Sequence, residues 1–101
     1  MAHELIWTLK ASADLEAIIR YLVPRNPDAA RRIGQCILER VEMLATHPLA
    51  GSALHEPTDG PYRKLVFENW KIIYSFRNDD IIIMRVWPAA LGPVDFDSHL
   101  G

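Results

Sequence analysis

Four cations carry the most chemistry in this chain: Arg63, Lys71, Arg77 and Arg85, all within the run YRKLVFENWKIIYSFRNDDIIIMRVW from Tyr62 to Trp87. Side chains alternate across a β-strand. Lys71, Ile73, Ser75 and Arg77 therefore share one face of a strand, and Ile81, Ile83, Arg85 and Trp87 share one face of the next. Arg63 opens an earlier strand, on the parity of Leu65 and Phe67. An array of cations on a sheet can hold phosphate or acidic side chains, because guanidinium forks match both geometrically. A solvated face, with long stems on apolar sheet and charged heads in water, gives a similar pattern. It does not need the large apolar residues Ile73, Ile81, Ile83 and Trp87 between the cations, whereas a protein-binding groove does. From the residues alone the mixed face reads either as a solvated face or as a docking surface, and the interleaved apolar residues bring the two readings closer.

Other reactive residue types do not assemble. His3, His47, His55 and His99 are scattered, and none stands at metal-ligand spacing with Cys36 or an acid. There is no phosphate-binding glycine loop and no Ser/His/Asp arrangement that order or spacing supports. Cys36 falls in mid-helix as a small packing residue. No metal, cofactor or covalent nucleophile is expected. Arg31, Arg32 and Arg40 lie on the polar side of a helix near Glu39 and Glu42, a solvated face with modest ion pairs.

The elements that must position the cations are legible as patterns. The 62–87 run holds three stretches rich in Val, Ile, Phe, Tyr and Trp, broken at Glu68-Asn69 and Asn78-Asp79-Asp80, which predicts a three-stranded antiparallel meander. The parity opposite the cations, Ile72, Tyr74 and Phe76 with Ile82, Met84 and Val86, is expected to face a core. Upstream, Leu5 to Leu9 is a short strand with Leu5, Trp7 and Leu9 on one side. A helix capped by Ser12, with Asp14 and Glu16 in its first turn, follows. Its stripe is Leu15, Ile18, Ile19 and Leu22. Pro24 stops it. Asn26-Pro27-Asp28 starts a second helix as cap, N1 proline and first-turn acid.

The second helix carries Ala30, Ile33, Ile37, Val41 and Leu44 on one face and ends before His47-Pro48. Gly34 beside that face points to a close helix–helix approach, since glycine in mid-helix costs about 1 kcal/mol against alanine. Two helices so closely joined pack as an antiparallel hairpin. The order β-α-α-β-β-β is an α+β domain, a helical hairpin on a small antiparallel sheet. Residues 48–61 read as a long surface connection. Residues 89–101 read as an extended tail that docks through Val94 and Phe96. One domain fills 1–101, with a core spanning roughly 4–88.

The totals narrow the class. The formal net charge of -2 argues against a whole-protein polyanion binder while leaving room for a local basic face. A single cysteine excludes an intramolecular disulfide framework and suits a reducing cytosol. No apolar run approaches the ~18 residues of a membrane span, and no secretion signal is visible. A cytoplasmic protein is expected.

SADLEAIIRYL, NPDAARRIGQCILERVEMLATHPLAG and YRKLVFENWKIIYSFRNDDIIIMRV, in this order, resemble the RelE/ParE superfamily of toxins from type II toxin–antitoxin systems over roughly residues 5–90. RelE-like members cleave mRNA on the ribosome. The resemblance would give Arg63, Lys71 and Arg85 catalytic roles, with Tyr74 or His99 assisting. Cleavage needs a group to activate the 2′-hydroxyl, cations to stabilise phosphorane charge and a donor to the leaving oxygen. The basic residues that such members place after the last strand fall here on Ala89 and Ala90, and Pro88 stands where many have a histidine. The catalytic set is incomplete. ParE-like members instead bind DNA gyrase and catalyse nothing themselves, and the resemblance is closer to them; an inactive toxin-fold protein that only binds antitoxin is the remaining reading. The resemblance implies a cognate antitoxin in a hetero-oligomer, with Arg63, Lys71, Ile73, Arg77, Ile83, Arg85 and Trp87 as the surface for antitoxin or target.

Overall fold

The computed structural model describes residues 3–55 and 60–100. Residues 56–59 of the expected 48–61 connection, and both chain ends of the expected 1–101 domain, lie outside that range. The elements are β1 (Glu4–Trp7), α1 (Leu9–Leu22), α2 (Pro27–Leu44), β2 (Ser52–Ala53), β3 (Arg63–Phe67), β4 (Trp70–Arg77) and β5 (Asp80–Pro88). A short 3₁₀ turn, Ala89–Leu91, follows. The five strands form one sheet in the order β1-β5-β4-β3-β2. The α+β class and the meander are as the patterns predict. The sheet is mixed, because β1 runs parallel to β5 and is hydrogen-bonded beside it.

Local sequence accounts for the boundaries. Asn26 accepts from Ala29 N at 3.1 Å, and Pro27 and Asp28 open α2 as expected. The first helix begins earlier than expected. Thr8 rather than Ser12 is its cap, accepting from Ala11 N at 3.1 Å while donating to Ile83 O at 2.8 Å. One hydroxyl thus ends β1, ties it to β5 and starts α1 without a linker. Leu9, expected on the strand, is 90% exposed on the first helical turn. Asn78 and Asp79, with φ of 54° and 65°, make the two-residue turn between β4 and β5. Positive φ at both positions is the twist-matched hairpin geometry that Asn and Asp tolerate.

The core lies between the sheet and the helical hairpin. Ala11 and Ile18 of α1 and Ile33, Ile37, Val41 and Leu44 of α2 cover Phe67, Ile72, Tyr74, Ile81, Ile83 and Val86. A methyl group on Gly34 would come within 3.0 Å of Ile19 Cδ1, which is the close approach expected there. Among the described residues no helix is long and apolar enough to cross a membrane.

The parity expected for β5 holds only in part. Ile73 pairs with Arg85, but Tyr74 pairs with Ile83, so Met84 is an extra residue in a β-bulge. One inserted residue reverses the alternation. Ile81 and Ile83 therefore face the helices, on the same side as Val86. Ile82 and Met84 do not belong to that core, contrary to the sequence expectation.

Candidate functional site

The second face of the sheet is covered by the chain's own C-terminal end. Gly92, at φ 75°, turns the backbone after the 3₁₀ segment. Residues 93–100 then lie back over β4 and β5 as a strap. Val94, Ile73 and Trp87 form a second buried cluster, with Leu54, Tyr62, Met84, Phe96 and Leu100 packed around it. The Phe96 ring lies 5.3 Å from that of Tyr62. Val94 and Phe96 dock as their sequence positions predict.

Three cations of the body hold main-chain carbonyls of this strap. Lys71 Nζ donates to Gly92 O at 2.9 Å and Arg85 Nη1 to Asp95 O at 2.7 Å. Lys10 Nζ donates to Phe96 O. Each ammonium or guanidinium group thus reads peptide backbone, whatever side chain that residue carries.

Arg85 also joins the strap face to the helices. Its Nε and Nη2 donate to Asp14 Oδ2 and Oδ1, both at 2.7 Å, in a bidentate pair. The two side chains are 1% and 2% exposed. Asp14 Oδ2 further accepts Val86 N at 3.0 Å. Register explains this contact: β1 ends at Trp7, opposite Ile83, so among the described residues β5 beyond that point has no strand on that edge. The carboxylate on α1 stands in for the missing strand carbonyl. Burying one partner without the other would be costly, on the order of 3–5 kcal/mol.

Arg63 and Tyr74 belong to a different junction. Arg63 pairs with Tyr74 on the helix side of the sheet, and its Nη2 donates to Leu49 O at 3.3 Å and to Gly51 O. The buried Tyr74 hydroxyl donates to Pro48 O at 2.8 Å and accepts Gly51 N at 3.0 Å. A methyl group on Gly51 would stand 2.4 Å from Lys64 O and 2.8 Å from the Tyr74 hydroxyl, so only glycine fits there. These groups pin the turn after α2 onto the sheet.

The expected surface is therefore only partly assembled. Lys71, Ile73, Arg85 and Trp87 do share one face, but beneath the strap rather than in water. Ile83 is in the helix-covered core, because the bulge turns it there. Arg63 faces the loop, on the parity of Leu65 and Phe67. Arg77 is exposed at the far end of β4. Sequence reading assigned Asp14 to a helix-dipole role and gave Lys10 none. The available signal was the spacing Ala11, Asp14, Ile18, which places an acid inside an apolar stripe. Among the described residues no cluster of His, Cys, Asp and Glu could hold a metal ion.

Two open apolar clefts flank α1. One, of about 610 Å³, is lined by Trp7, Leu15, Ile19 and Leu38 with Ser12, Glu16 and Arg20 at its edge. The other, of about 480 Å³, lies between α1 and the strap end and includes Ile18, Tyr21, Trp70, Pro88 and Leu91.

Comparison with known proteins places this geometry. A chain of the chromosomal ParDE toxin–antitoxin system of P. aeruginosa superposes with a TM-score of 0.73 at 29% identity, covering 86% of this chain and 96% of that one. A chain of the toxin–antitoxin complex RelBE2 from Mycobacterium tuberculosis shares the fold, with a TM-score of 0.65 at 20% identity over 87% and 99% of the two chains. No curated protein sequence matches. The family model described as "ParE toxin of type II toxin-antitoxin system, parDE" matches residues 5–90, nearly the whole described body of helices and sheet. The chain belongs to the ParE toxin family of type II toxin–antitoxin systems.

Proposed function

We propose that this toxin acts by binding DNA gyrase, without catalysing a reaction itself, and that a cognate antitoxin neutralises it in a hetero-oligomer. One observation carries the non-catalytic reading. The cations and the tyrosine that an RNA-cleaving relative would use are engaged in holding the fold. Arg85 is buried against Asp14, Lys71 holds Gly92, Arg63 holds Leu49 and Gly51, and the Tyr74 hydroxyl is shared by Pro48 and Gly51. RNA cleavage needs a base within reach of the 2′-hydroxyl and donors free to follow the developing phosphorane charge. Ala89 and Ala90, exposed just past β5, supply neither.

Protein binding is better served. The clefts beside α1 present Trp7, Leu38, Tyr21 and Leu91 to a partner, and aromatic and large apolar anchors dominate interface energetics. An antitoxin segment disordered when free can lay an amphipathic face into such clefts. The similarity to chains from ParDE and RelBE2 toxin–antitoxin systems supports an antitoxin partner.

The test is to add the purified chain to a gyrase supercoiling reaction and, separately, to ribosomes carrying mRNA. Inhibited supercoiling with intact mRNA is expected. Cleaved mRNA with normal supercoiling would replace this reading with a RelE-like endoribonuclease.

A further inference from the structure

We propose that two copies of this chain associate through the outer stripe of α1, in a two-fold symmetric pairing that sets the two α1 helices antiparallel. The stripe runs Leu9, Ser12, Glu16, Arg20 and Val23, at helical spacings that bring all five to one side of the helix. All five are exposed. The surface and its occupant are then the same residues, which is what a contact between identical faces requires.

The stripe is complementary to its own reverse. Leu9, almost wholly exposed, and Val23, half exposed, stand at its two ends, about four turns apart. An antiparallel copy brings Leu9 of one chain near Val23 of the other, twice over. Glu16 and Arg20 lie between these ends, one turn apart. In the same arrangement each Glu16 carboxylate approaches the other copy's Arg20 guanidinium, which gives two ion pairs related by the symmetry axis. Among the described residues neither side chain makes an ion pair or hydrogen bond within its own chain.

The cleft of about 610 Å³ lies alongside, and Ser12, Glu16 and Arg20 form its edge as well as the middle of the stripe. A helix laid along the stripe therefore also roofs Trp7, Leu15, Ile19 and the half-exposed Leu38, removing their apolar surface from water. Exposed apolar residues scattered singly are ordinary. Here Leu9, Val23 and Leu38 border one cleft, and its rim carries one acid and one base. A second copy meets that rim without an excess of either charge. One helix-on-helix contact is at the small end of stable interfaces, so the dimer should dissociate at micromolar concentrations. The inference is independent of which cellular target the toxin reaches. While two copies cover this cleft no antitoxin segment can enter it, so self-association and capture of an antitoxin there exclude each other.

The test is sedimentation equilibrium of the full chain over a concentration series, in which the mass should rise from that of one copy towards that of two. Leu9→Asp should weaken association roughly tenfold or more, because a carboxylate replaces an apolar anchor. Leu9 is hardly covered by its own chain and an acid suits the first helical turn, so the variant's thermal midpoint should not fall. Glu16→Arg should weaken association as well, by setting like charges together. Adding Arg20→Glu to it should restore association to near that of the unmodified chain. Such a rescue requires that each residue meet the other across the two copies. A chain that stays monomeric throughout the series would overturn the proposal. So would a Leu9→Asp variant that dimerises like the parent, or a double variant that shows no rescue. A monomeric chain that loses its cognate antitoxin on Leu9→Asp would assign the stripe to the antitoxin and reject a second copy as its occupant.

Discussion

The two faces of the central sheet are covered by the same chain in opposite ways. On the helix side, α1 and α2 lay an aliphatic surface on Ile72, Ile81, Ile83 and Val86, with polar groups at the turn held by Tyr74 and Arg63 and at Asp14 of α1. On the strap side, a few residues insert Val94 and Phe96 and offer three carbonyls to three cations. The first cover stabilises by apolar area removed from water, which is non-directional and hard to open in part. The second stabilises through directional contacts from three cations and a smaller apolar cluster. Arg85 connects the two. It rises from the strap face, reaches past the bare edge of β5 and meets Asp14 on α1.

The contrast is most severely tested at that connection. Asp14→Ala leaves a buried guanidinium and the Val86 N–H without their acceptor. We expect a loss on the order of 3–5 kcal/mol in urea unfolding. Replacing both partners, Asp14→Leu with Arg85→Met, should recover part of the loss, because no charge then remains buried unpaired. A single mutant as stable as the parent would mean that the edge of β5 is closed by something other than this carboxylate.

The next largest effect separates the two covers. Ile37 is fully buried under the helices, so Ile37→Ala should cost about 2–5 kcal/mol. Val94→Ala on the strap removes less surface from a smaller cluster and should cost about 1–2 kcal/mol. Hydrogen exchange should distinguish them further. The helix-side change should speed exchange throughout the domain, and the strap-side change only over residues 92–100. Equal costs and equal exchange would make the strap as integral as the hairpin.

Local signals carried most of the architecture. Asn26-Pro27-Asp28, the aliphatic stripe of α2, the Asn78-Asp79 turn and the alternation of β4 were all readable, because each is a short-range preference that packing here reinforces. What failed was set at long range. The bulge at Met84 lies in the run Ile81-Ile82-Ile83-Met84, apolar at every position, so its alternation carries no sign of which residue is extra. That one residue moved Ile83 from the expected docking face to the core. Thr8 outcompeted Ser12 as a cap because its hydroxyl also bonds Ile83, 75 residues away. The face expected to dock a partner was half legible. Lys71, Ile73, Arg85 and Trp87 are together, but their cover is a tail whose prolines and glycines hide its role until the three cations are seen to hold it.

Gly34 offers a smaller test of how tightly the helix-side cover is closed. Alanine would gain up to about 1 kcal/mol of helix propensity. Among the described residues the added methyl meets the flexible, partly exposed Ile19 side chain, Cδ1 at 3.0 Å and Cγ1 at 3.8 Å. A slight rise in thermal midpoint is expected. A fall would show that the two helices cannot give way by a few tenths of an ångström.

The smallest effect is the control for the largest. Arg32 also meets both oxygens of a carboxylate, that of Glu68, though through Nη1 alone at 3.1 and 3.3 Å rather than through two nitrogens as Arg85 meets Asp14. The two side chains, however, are 56% and 49% exposed. Water and salt screen such a pair, and holding two long side chains in register costs entropy, so Arg32→Ala should change stability by less than about 1 kcal/mol. Raising the salt concentration should shrink even that difference while leaving the cost of Asp14→Ala nearly unchanged. Unfolding midpoints of both mutants at low and high salt check this directly. Equal salt sensitivity would mean that burial is not what sets the two pairs apart, and the Asp14–Arg85 contact would lose its claim to join the two faces.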